Sequence, residues 1–276
     1  MKLQERDATI RLLRSSDVGS AMRLTRAAGW NQVPGDWERL LSLEPEGCFA
    51  LESDGQLAAT TTVLCYGKEL AWVGMVLTAP EFRRRGFAES LMERAMKFVE
   101  SRGVSTVKLD ATESGINLYR KFGFAEECEI ERWQRVPGTV ETRETLSYSQ
   151  EFAYDRERFG ADRAALLAEL SKIGAASLPG EGYAMGRPGF SAAYFGPCLA
   201  RSPASAGRLL RCFLGDRAAQ HVFWDLLPAN EEAVRLARRF GFAPARRLAR
   251  MAWSRTPARP ISNHSEVYAI AGFELG

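Results

Sequence analysis

The sequence predicts an α/β fold, an α+β sandwich in which helices flank a mixed central sheet, and it predicts this arrangement twice along the chain. Several strand-like segments precede residue 79, where an apolar run ends and a basic turn leads into a helical pattern. Helical and extended patterns then alternate as far as residue 135. The sequence LYRKFGF at residues 118–124 returns as LARRFGF at residues 236–242, which indicates a duplication.

The elements of the first half follow from apolar periodicity and from turn residues. Ser15 and Asp17 can cap a first helix, and Pro34 can open a short second one. Asp54-Gly55 is a hairpin signal. Strands are predicted at residues 8–13, 48–52, 57–66, 69–78 and 104–109, helices at 87–101 and 114–122, and extended chain from 124 to about 135. Three antiparallel strands are therefore expected directly before the basic turn.

Composition bounds the class of protein. The 276 residues are enough for two domains that each bury a core. With 46% hydrophobic and 26% charged residues, a soluble globular protein is expected. The formal net charge of +3 is too small to indicate a nucleic-acid binder.

The cysteines and histidines give no local signature of a metal site. The five cysteines are scattered without a C-x-x-C pair, and His221 and His264 are far apart in sequence, so we expect no metal and no disulfide scaffold. The start of the sequence has no apolar signal segment, and no run reaches the roughly 18 apolar residues of a membrane span. A cytoplasmic protein without membrane contact is the expectation.

The turn after the fourth predicted strand has the properties of an anion-binding loop. Arg83, Arg84 and Arg85 raise the local positive potential, and Gly86 allows a close approach of the backbone. The N–H groups at the start of the following helix have no intrahelical acceptors, and the helix dipole favours a negative charge there. The loop is neither a nucleoside-triphosphate P-loop nor a G-x-G-x-x-G loop. We therefore predict that it binds a diphosphate.

This loop resembles the diphosphate-binding loop of the GNAT superfamily of acyl-CoA-dependent N-acyltransferases. The pattern of that family is Arg/Gln-x-x-Gly-x-Gly/Ala. Here it reads as six consecutive residues: Arg83, Arg84, Arg85, Gly86, Phe87 and Ala88. A second motif of the family, a tyrosine shortly before a Gly-Phe pair, is matched by Tyr119 and the pair Gly123-Phe124. The resemblance implies acetyl-CoA as co-substrate and no metal.

The resemblance also implies roles for residues outside the loop. Backbone groups of Met75, Val76 and Leu77 would pair with the pantetheine amides and donate an N–H to the thioester oxygen. Tyr119 would be the general acid that protonates the departing thiolate, and Asp110 would accept a proton from the amine or hold the ammonium. One departure is that Thr112 stands where relatives often have a coenzyme-binding asparagine.

The second half resembles a degenerate copy of the first. Residues 222–225 align with 107–110, and residues 194–200 with the fourth strand, but the arginine-glycine loop has no counterpart after Pro203. The second half keeps Asn230 at the asparagine position and has Ala237 where the tyrosine would be. The predicted domains are residues 1–136 (catalytic), 137–150 (linker), 151–256 (degenerate copy) and 257–276 (a tail that docks back on the body).

The function predicted from these residues is direct transfer of an acetyl group to a primary amine of a small molecule. Two alternatives stay open: a non-catalytic acyl-CoA sensor or scaffold, and an enzyme that acetylates protein lysines or N-termini. A homodimer is compatible with the sequence, and a nucleic-acid partner is not expected. The acceptor amine and the acyl chain length cannot be read from the residues.

Overall fold

A computed structural model describes residues 8–139, 144–149, 152–255 and 264–276. By contacts between residues the chain divides into two compact units, Met1–Val107 and Lys108–Gly276.

The strands of the first unit form an antiparallel array in the order β1-β2-β3-β4. Asp54 and Gly55, both at positive φ, turn the hairpin between β2 and β3 as the sequence predicted. The first predicted strand also joins this array, because Thr9–Leu12 pairs with β2. The strands are β1 (Thr9–Leu12), β2 (Cys48–Ser53), β3 (Gln56–Tyr66) and β4 (Leu70–Thr78).

Three helices pack on this array: α1 (Val18–Ala27), α2 (Pro34–Leu43) and α3 (Phe87–Ser101). The helix α3 buries one apolar face, formed by Leu91, Met92, Ala95, Phe98 and Val99. Phe98 meets Phe49 of β2 edge-on, with ring centroids 5.9 Å apart. This packing fixes the direction in which the start of α3 points.

The second unit contains the remaining elements. Its helices are α4 (Ile116–Lys121), α5 (Phe152–Phe159), α6 (Ala164–Ser171), α7 (Pro203–Gly215) and α8 (Glu231–Arg239). Its strands are β5 (Thr106–Ala111, which begins just before the division), β6 (Ala125–Arg135), β7 (Ala175–Leu178), β8 (Gly182–Arg187), β9 (Ala193–Ala200), β10 (Val222–Leu226), β11 (Ala243–Ser254) and β12 (Val267–Ala269).

The closing strand of each sequence half, β6 in the first and β11 in the second, pairs with strands of the other half; this is called the exchange of closing strands. The strand order is β5-β11-β6-β10-β9-β8-β7. The strand β6 of the first half therefore lies beside β10, and β11 of the second half lies beside β5, while β6 and β11 pair antiparallel with each other. Since β9 and β10 are parallel, the sheet is mixed, and with its packed helices it confirms the predicted fold class.

Two buried ion pairs accompany this exchange. Arg250 of β11 forms two hydrogen bonds with Asp110 of β5, at 2.9 and 3.0 Å. Arg132 of β6 forms two with Asp225 of β10, at 2.7 and 2.6 Å. The side chains of both aspartates are 0% exposed. Because a buried charge without a partner is costly, these bidentate pairs favour this strand order over others.

The division by contacts differs from the predicted domain boundary at residues 137–150. Because β5 and β6 pair with strands of the second half, they group with it in contacts although they precede the linker in sequence. Residues 140–143 and 150 of the predicted linker and 257–263 of the predicted tail lie outside the described residues, as do 1–7, 151 and 256. The predicted domains follow the two sequence repeats, whereas the compact units follow contacts between residues. The domain boundaries therefore stay a prediction.

Candidate active site

A β-bulge interrupts β4 next to the predicted loop. Thr60 of β3 is opposite Leu77, but Thr62 is opposite Gly74, so β4 has one residue more than β3 over this stretch. Met75 lies in the left-handed region at φ 49°, and its carbonyl accepts a 2.8 Å hydrogen bond from the Thr60 hydroxyl. A bulge disrupts the ladder locally, and here Met75 and Val76 have no directly opposite residue in β3, whereas Leu77 is opposite Thr60.

The loop itself ends in an open helix start. Arg84 and Gly86 are at φ 64° and 83°, and Gly86 is the N-cap of α3. Since glycine has no side chain, it cannot cap the N–H groups of the first helical turn, and no side-chain cap is present. A Cβ built on Gly86 meets nothing within 4 Å. The start of α3 therefore faces open space in which an anion can be held.

The three arginines directly precede this helix start, and their contacts within the described part of the chain are weak. All three are exposed, and Arg83 makes a 3.5 Å contact with the Thr78 carbonyl. Arg85 lies 5.0 Å from the centroid of the Phe82 ring and 3.7 Å from the half-exposed Asp54 carboxylate. A solvated ion pair of this kind contributes little energy, so the guanidinium groups can turn toward a bound anion at small cost.

The equivalent helix start in the second half is closed. The helix α7 begins after Ser202, whose hydroxyl oxygen accepts a hydrogen bond from the Ser205 N–H at 3.1 Å. The Ser205 hydroxyl in turn donates to the Glu181 carboxylate at 2.6 Å. A side-chain cap and a carboxylate thus occupy at α7 the place where α3 is open and surrounded by arginines. The sequence alone shows that the arginine-glycine loop is missing before α7, but it does not show the cap or the carboxylate.

Tyr119 lies on α4 in the second unit. The residue is 7% exposed, and its ring meets Phe124 with centroids 6.2 Å apart. Gly115 leaves room for it, since a Cβ there would come 3.0 Å from the Tyr119 ring. Burial raises the pKa of the phenol above its ordinary value, so the hydroxyl keeps its proton at neutral pH. It can therefore donate a hydrogen bond, but it cannot serve as a base.

The surroundings of Asp110 favour a structural role. Both of its oxygens accept hydrogen bonds from Arg250, and its side chain is fully buried. Burial raises the pKa of this carboxyl, and the Arg250 guanidinium opposes that shift. The equivalent Asp225 makes the same pair with Arg132 in the half that lacks the loop. The role of Asp110 as a base stays a prediction, and the repetition of this ion pair argues against it.

The C-terminal segment, residues 264–276, fills the gap between β9 and β10. These two strands are the counterparts of β4 and β5. These strands pair only through residues 193–195 and 222–224, and β12 then pairs with β9. The Trp224 indole N–H donates to the Tyr268 carbonyl at 2.7 Å, and the Ile270 N–H donates to the Asp225 carbonyl at 3.0 Å. The segment is thus bonded to both strands of the second half.

Asn230 is used by this segment as well. Its side-chain oxygen caps α8 by accepting from the Ala233 N–H at 3.1 Å. Its amide nitrogen donates to three carbonyls of the C-terminal segment, those of His264, Ser265 and Val267, at 3.0 to 3.2 Å. The asparagine that the sequence singled out therefore binds the chain itself. No local signal in the sequence reveals this partner, which lies more than thirty residues away.

None of the helices in the described parts of the chain has both the length and the apolar character that a membrane-spanning segment needs. In the same residues, the His, Cys, Asp and Glu side chains form no group of three or more that could hold a metal ion.

Two family descriptions match the chain. Residues 20–124 match the acetyltransferase (GNAT) family, and residues 152–269 match an acetyltransferase (GNAT) domain. With the repeated elements described above, these matches define a protein with two GNAT domains. The chain belongs to the GNAT acetyltransferase family.

Named relatives match part of the chain. Over 150 residues it is 28% identical to the holothin acyltransferase of Pseudoalteromonas sp. (strain SANK 73390), a match that covers 52% of this chain and 50% of that protein. Over 168 residues it is 24% identical to an uncharacterized N-acetyltransferase of Bacillus subtilis (strain 168), covering 57% and 58%. The matches thus span little more than half the length of these relatives.

A solved structure resembles the whole chain. A protein from Pyrococcus horikoshii, described as an acetyltransferase, superposes with a TM-score of 0.85 at 21% identity and covers 100% of this chain and 98% of its own. At this identity the likeness shows the fold alone.

Proposed function

We propose that the chain transfers an acetyl group from acetyl-CoA to a primary amine of a small molecule, and that the first half carries the reaction. The observation that carries this proposal is the open, arginine-surrounded start of α3 at Gly86. The contrast with α7, whose start is capped by Ser202, supports assigning one coenzyme site to the chain.

The residues of the loop would hold the diphosphate of the coenzyme. Backbone N–H groups from Gly86 to Ala88 point along the helix axis at its start, and each can donate to a phosphate oxygen. The guanidinium groups of Arg83, Arg84 and Arg85 would add charge-assisted hydrogen bonds. Phe87, half-buried, anchors the first turn by stacking on Phe82 with centroids 6.1 Å apart.

The bulge of β4 would position the pantetheine arm and the thioester. In an undisturbed antiparallel ladder every second residue of this stretch would have its N–H and C=O groups bonded to the strand on one side. With the extra residue in β4, some of these groups can bind amides of the ligand, and one N–H can face the thioester oxygen. A fixed N–H at the developing oxyanion contributes about 3 kcal/mol in other acyl-transfer sites.

The chemistry is a direct acyl transfer. The amine, after losing a proton to solvent, forms a C–N bond to the thioester carbon, and the carbonyl oxygen gains negative charge. In this intermediate the nitrogen is positively charged. Collapse re-forms the C=O bond and breaks the C–S bond, the nitrogen gives its extra proton to solvent to become the amide, and the thiolate takes up a proton from a donor that solvent then re-protonates. Tyr119 is the proposed donor, because its buried phenol stays protonated. Asp110 is not given a step, since both of its oxygens are engaged by Arg250.

The proposal is tested by thiol release. The full chain is incubated with acetyl-CoA and a panel of amines comprising polyamines, amino acids, aminoglycosides and lysine-containing peptides, and free thiol is measured over time. Release with a small amine, and little with peptides, supports the proposal. Release with peptides alone would replace it by protein acetylation.

Two variants sharpen this experiment. Arg85→Gln removes a charge at the start of α3, whereas Arg102→Gln removes one at its end, where Arg102 pairs with Glu44 and Glu46. Turnover at low acetyl-CoA should fall only in Arg85→Gln. Tight coenzyme binding without thiol release for any amine would favour the sensor or scaffold.

A further inference from the structure

A basic cavity lies in the second unit, at the end of β6 and beside the C-terminal end of α8. Its volume is about 510 Å³, and its lining includes Arg135, Arg211 and Arg239. Among the described residues that line it, none is acidic. The cavity is therefore a region of positive potential that the proposed acyl transfer does not use.

Arg135 is the buried member of this group. The residue is 7% exposed, its Nε–H donates to the Phe240 carbonyl at 3.1 Å, and Nη2 donates to the Thr139 carbonyl at 2.9 Å. Its Nη1 is buried, and in the described part of the chain it has no hydrogen-bond partner. Within the described residues this guanidinium has carbonyl partners and no carboxylate partner, and an anion in the cavity would balance its charge.

The other two arginines differ in how far they are neutralised. Arg211 contacts the Glu144 carboxylate through Nε at 3.2 Å, so its charge is partly balanced. Arg239 is exposed in the last turn of α8. The Phe240 carbonyl, just after the end of α8, accepts a hydrogen bond from Arg135, so the positive charge of Arg135 lies against the negative end of this helix.

The remaining walls are apolar. Val136, Pro137, Leu214 and Phe240 line the same cavity, and Val136 is 61% exposed. We propose that this cavity binds the oxyanion group, phosphate or carboxylate, of a small organic molecule whose body lies against these apolar side chains. Arg135 supplies a fixed positive charge at the wall of the cavity, and Arg239 closes over the anion from the surface.

Titration calorimetry on the full chain tests this site, with phenyl phosphate, benzoate and inorganic phosphate as probes at constant ionic strength. Binding of phenyl phosphate or benzoate in the millimolar range or tighter is expected, with inorganic phosphate weaker. Arg239→Gln should weaken the tighter probe about fivefold or more, because one charge-assisted hydrogen bond is lost. Arg235→Gln, also on the exposed side of α8 but outside the cavity, should leave binding unchanged.

Two further variants complete the test. Arg135→Lys keeps a positive charge but cannot keep both carbonyl bonds that hold this charge at the wall of the cavity, so it should also weaken binding. Arg85→Gln separates this site from the loop at α3. Absence of binding in the unaltered chain, unchanged binding in Arg239→Gln, or loss of binding in Arg85→Gln would each overturn the proposal.

Discussion

Tyr119 combines an apolar environment with a phenol that keeps its proton, and this combination can be tested by removing one atom. In Tyr119→Phe the packing against Phe124 is retained and the proton donor is lost. Turnover should fall about a hundredfold, the lower end of the usual effect of a general acid. The dissociation constant of acetyl-CoA should stay within about twofold, because the ring is kept.

The control for this change is Tyr268→Phe, which alters another buried tyrosine, one whose backbone lies in β12. It should leave the rate constant unchanged. If Tyr119→Phe turned over acetyl-CoA as fast as the unaltered chain, Tyr119 would be a packing residue and the proton donor would have to be sought elsewhere.

Asp110 is expected to matter for stability rather than for chemistry. In Asp110→Asn the buried guanidinium of Arg250 loses the carboxylate with which it forms two hydrogen bonds, which costs about 3 kcal/mol or more of unfolding free energy. Asp225→Asn should have a similar effect through Arg132. Urea denaturation measures both. A variant Asp110→Asn with normal stability and a lost reaction would instead establish the carboxylate as a base.

At the scale of residues, short patterns in the sequence predict candidate groups but not the partners of those groups. Arg83 to Gly86 and Tyr119 belong to such patterns, and their roles stay predictions. Arg250 is 140 residues from Asp110, and the pair arises only because β11 lies beside β5. Single-sequence patterns do not encode contacts at such separations.

The C-terminal segment is expected to stabilise the second unit. Tyr268, Ile270 and Leu275 are almost completely buried, and their burial contributes on the order of 5 kcal/mol in total. A chain that ends at Arg255 should therefore have a markedly lower midpoint of thermal unfolding. A synthetic peptide with the sequence of residues 264–276 should raise this midpoint again when it is added in trans.

The peptide control replaces Tyr268 and Ile270 by serine, which keeps the length and removes the buried side chains. This peptide should not raise the midpoint. Equal midpoints for the shortened and the full chain would show that the segment contributes nothing to stability, and the account of the filled gap between β9 and β10 would be wrong.

At the scale of elements, periodicity and turn residues predicted the strands and helices of the first half closely. They gave no sign of the bulge at Met75, because a methionine at positive φ has no sequence signature and is held there by Thr60. The strands β7 and β8 of the second half were not predicted. Both are short, and β8 is buried throughout, so it lacks the alternation that identifies a strand.

The exchange of closing strands makes a prediction for the whole molecule. If β6 and β11 each need neighbours from the other half, residues 1–139 and 144–276 should each be unfolded or aggregated when expressed alone. Expressed together, the two pieces should form a soluble complex with the circular dichroism spectrum of the full chain. Two pieces that fold separately would contradict the exchange and would support independent domains.

Local sequence patterns do not encode this pairing of strands. The composition changes in the polar stretch after Arg135, and this change predicts a domain boundary there. The contacts instead divide the chain between Val107 and Lys108, since β6 pairs with β10 and β11. Repeats show which segments are equivalent, but the pairing of equivalent strands is decided by buried partners such as Arg132 and Asp225.

The central claim is that one helix start, at Gly86, binds the diphosphate of an acyl-coenzyme. Calorimetric titration of the intact chain with acetyl-CoA tests it most directly, in parallel with Arg85→Gln and the control Arg102→Gln. The account predicts one molecule of acetyl-CoA bound per chain. In Arg85→Gln the affinity should be weakened about three- to tenfold, because one partly solvated charge-assisted hydrogen bond is lost. In Arg102→Gln the affinity should not change. No heat of binding, two bound molecules per chain, or equal affinity in all three proteins would contradict it.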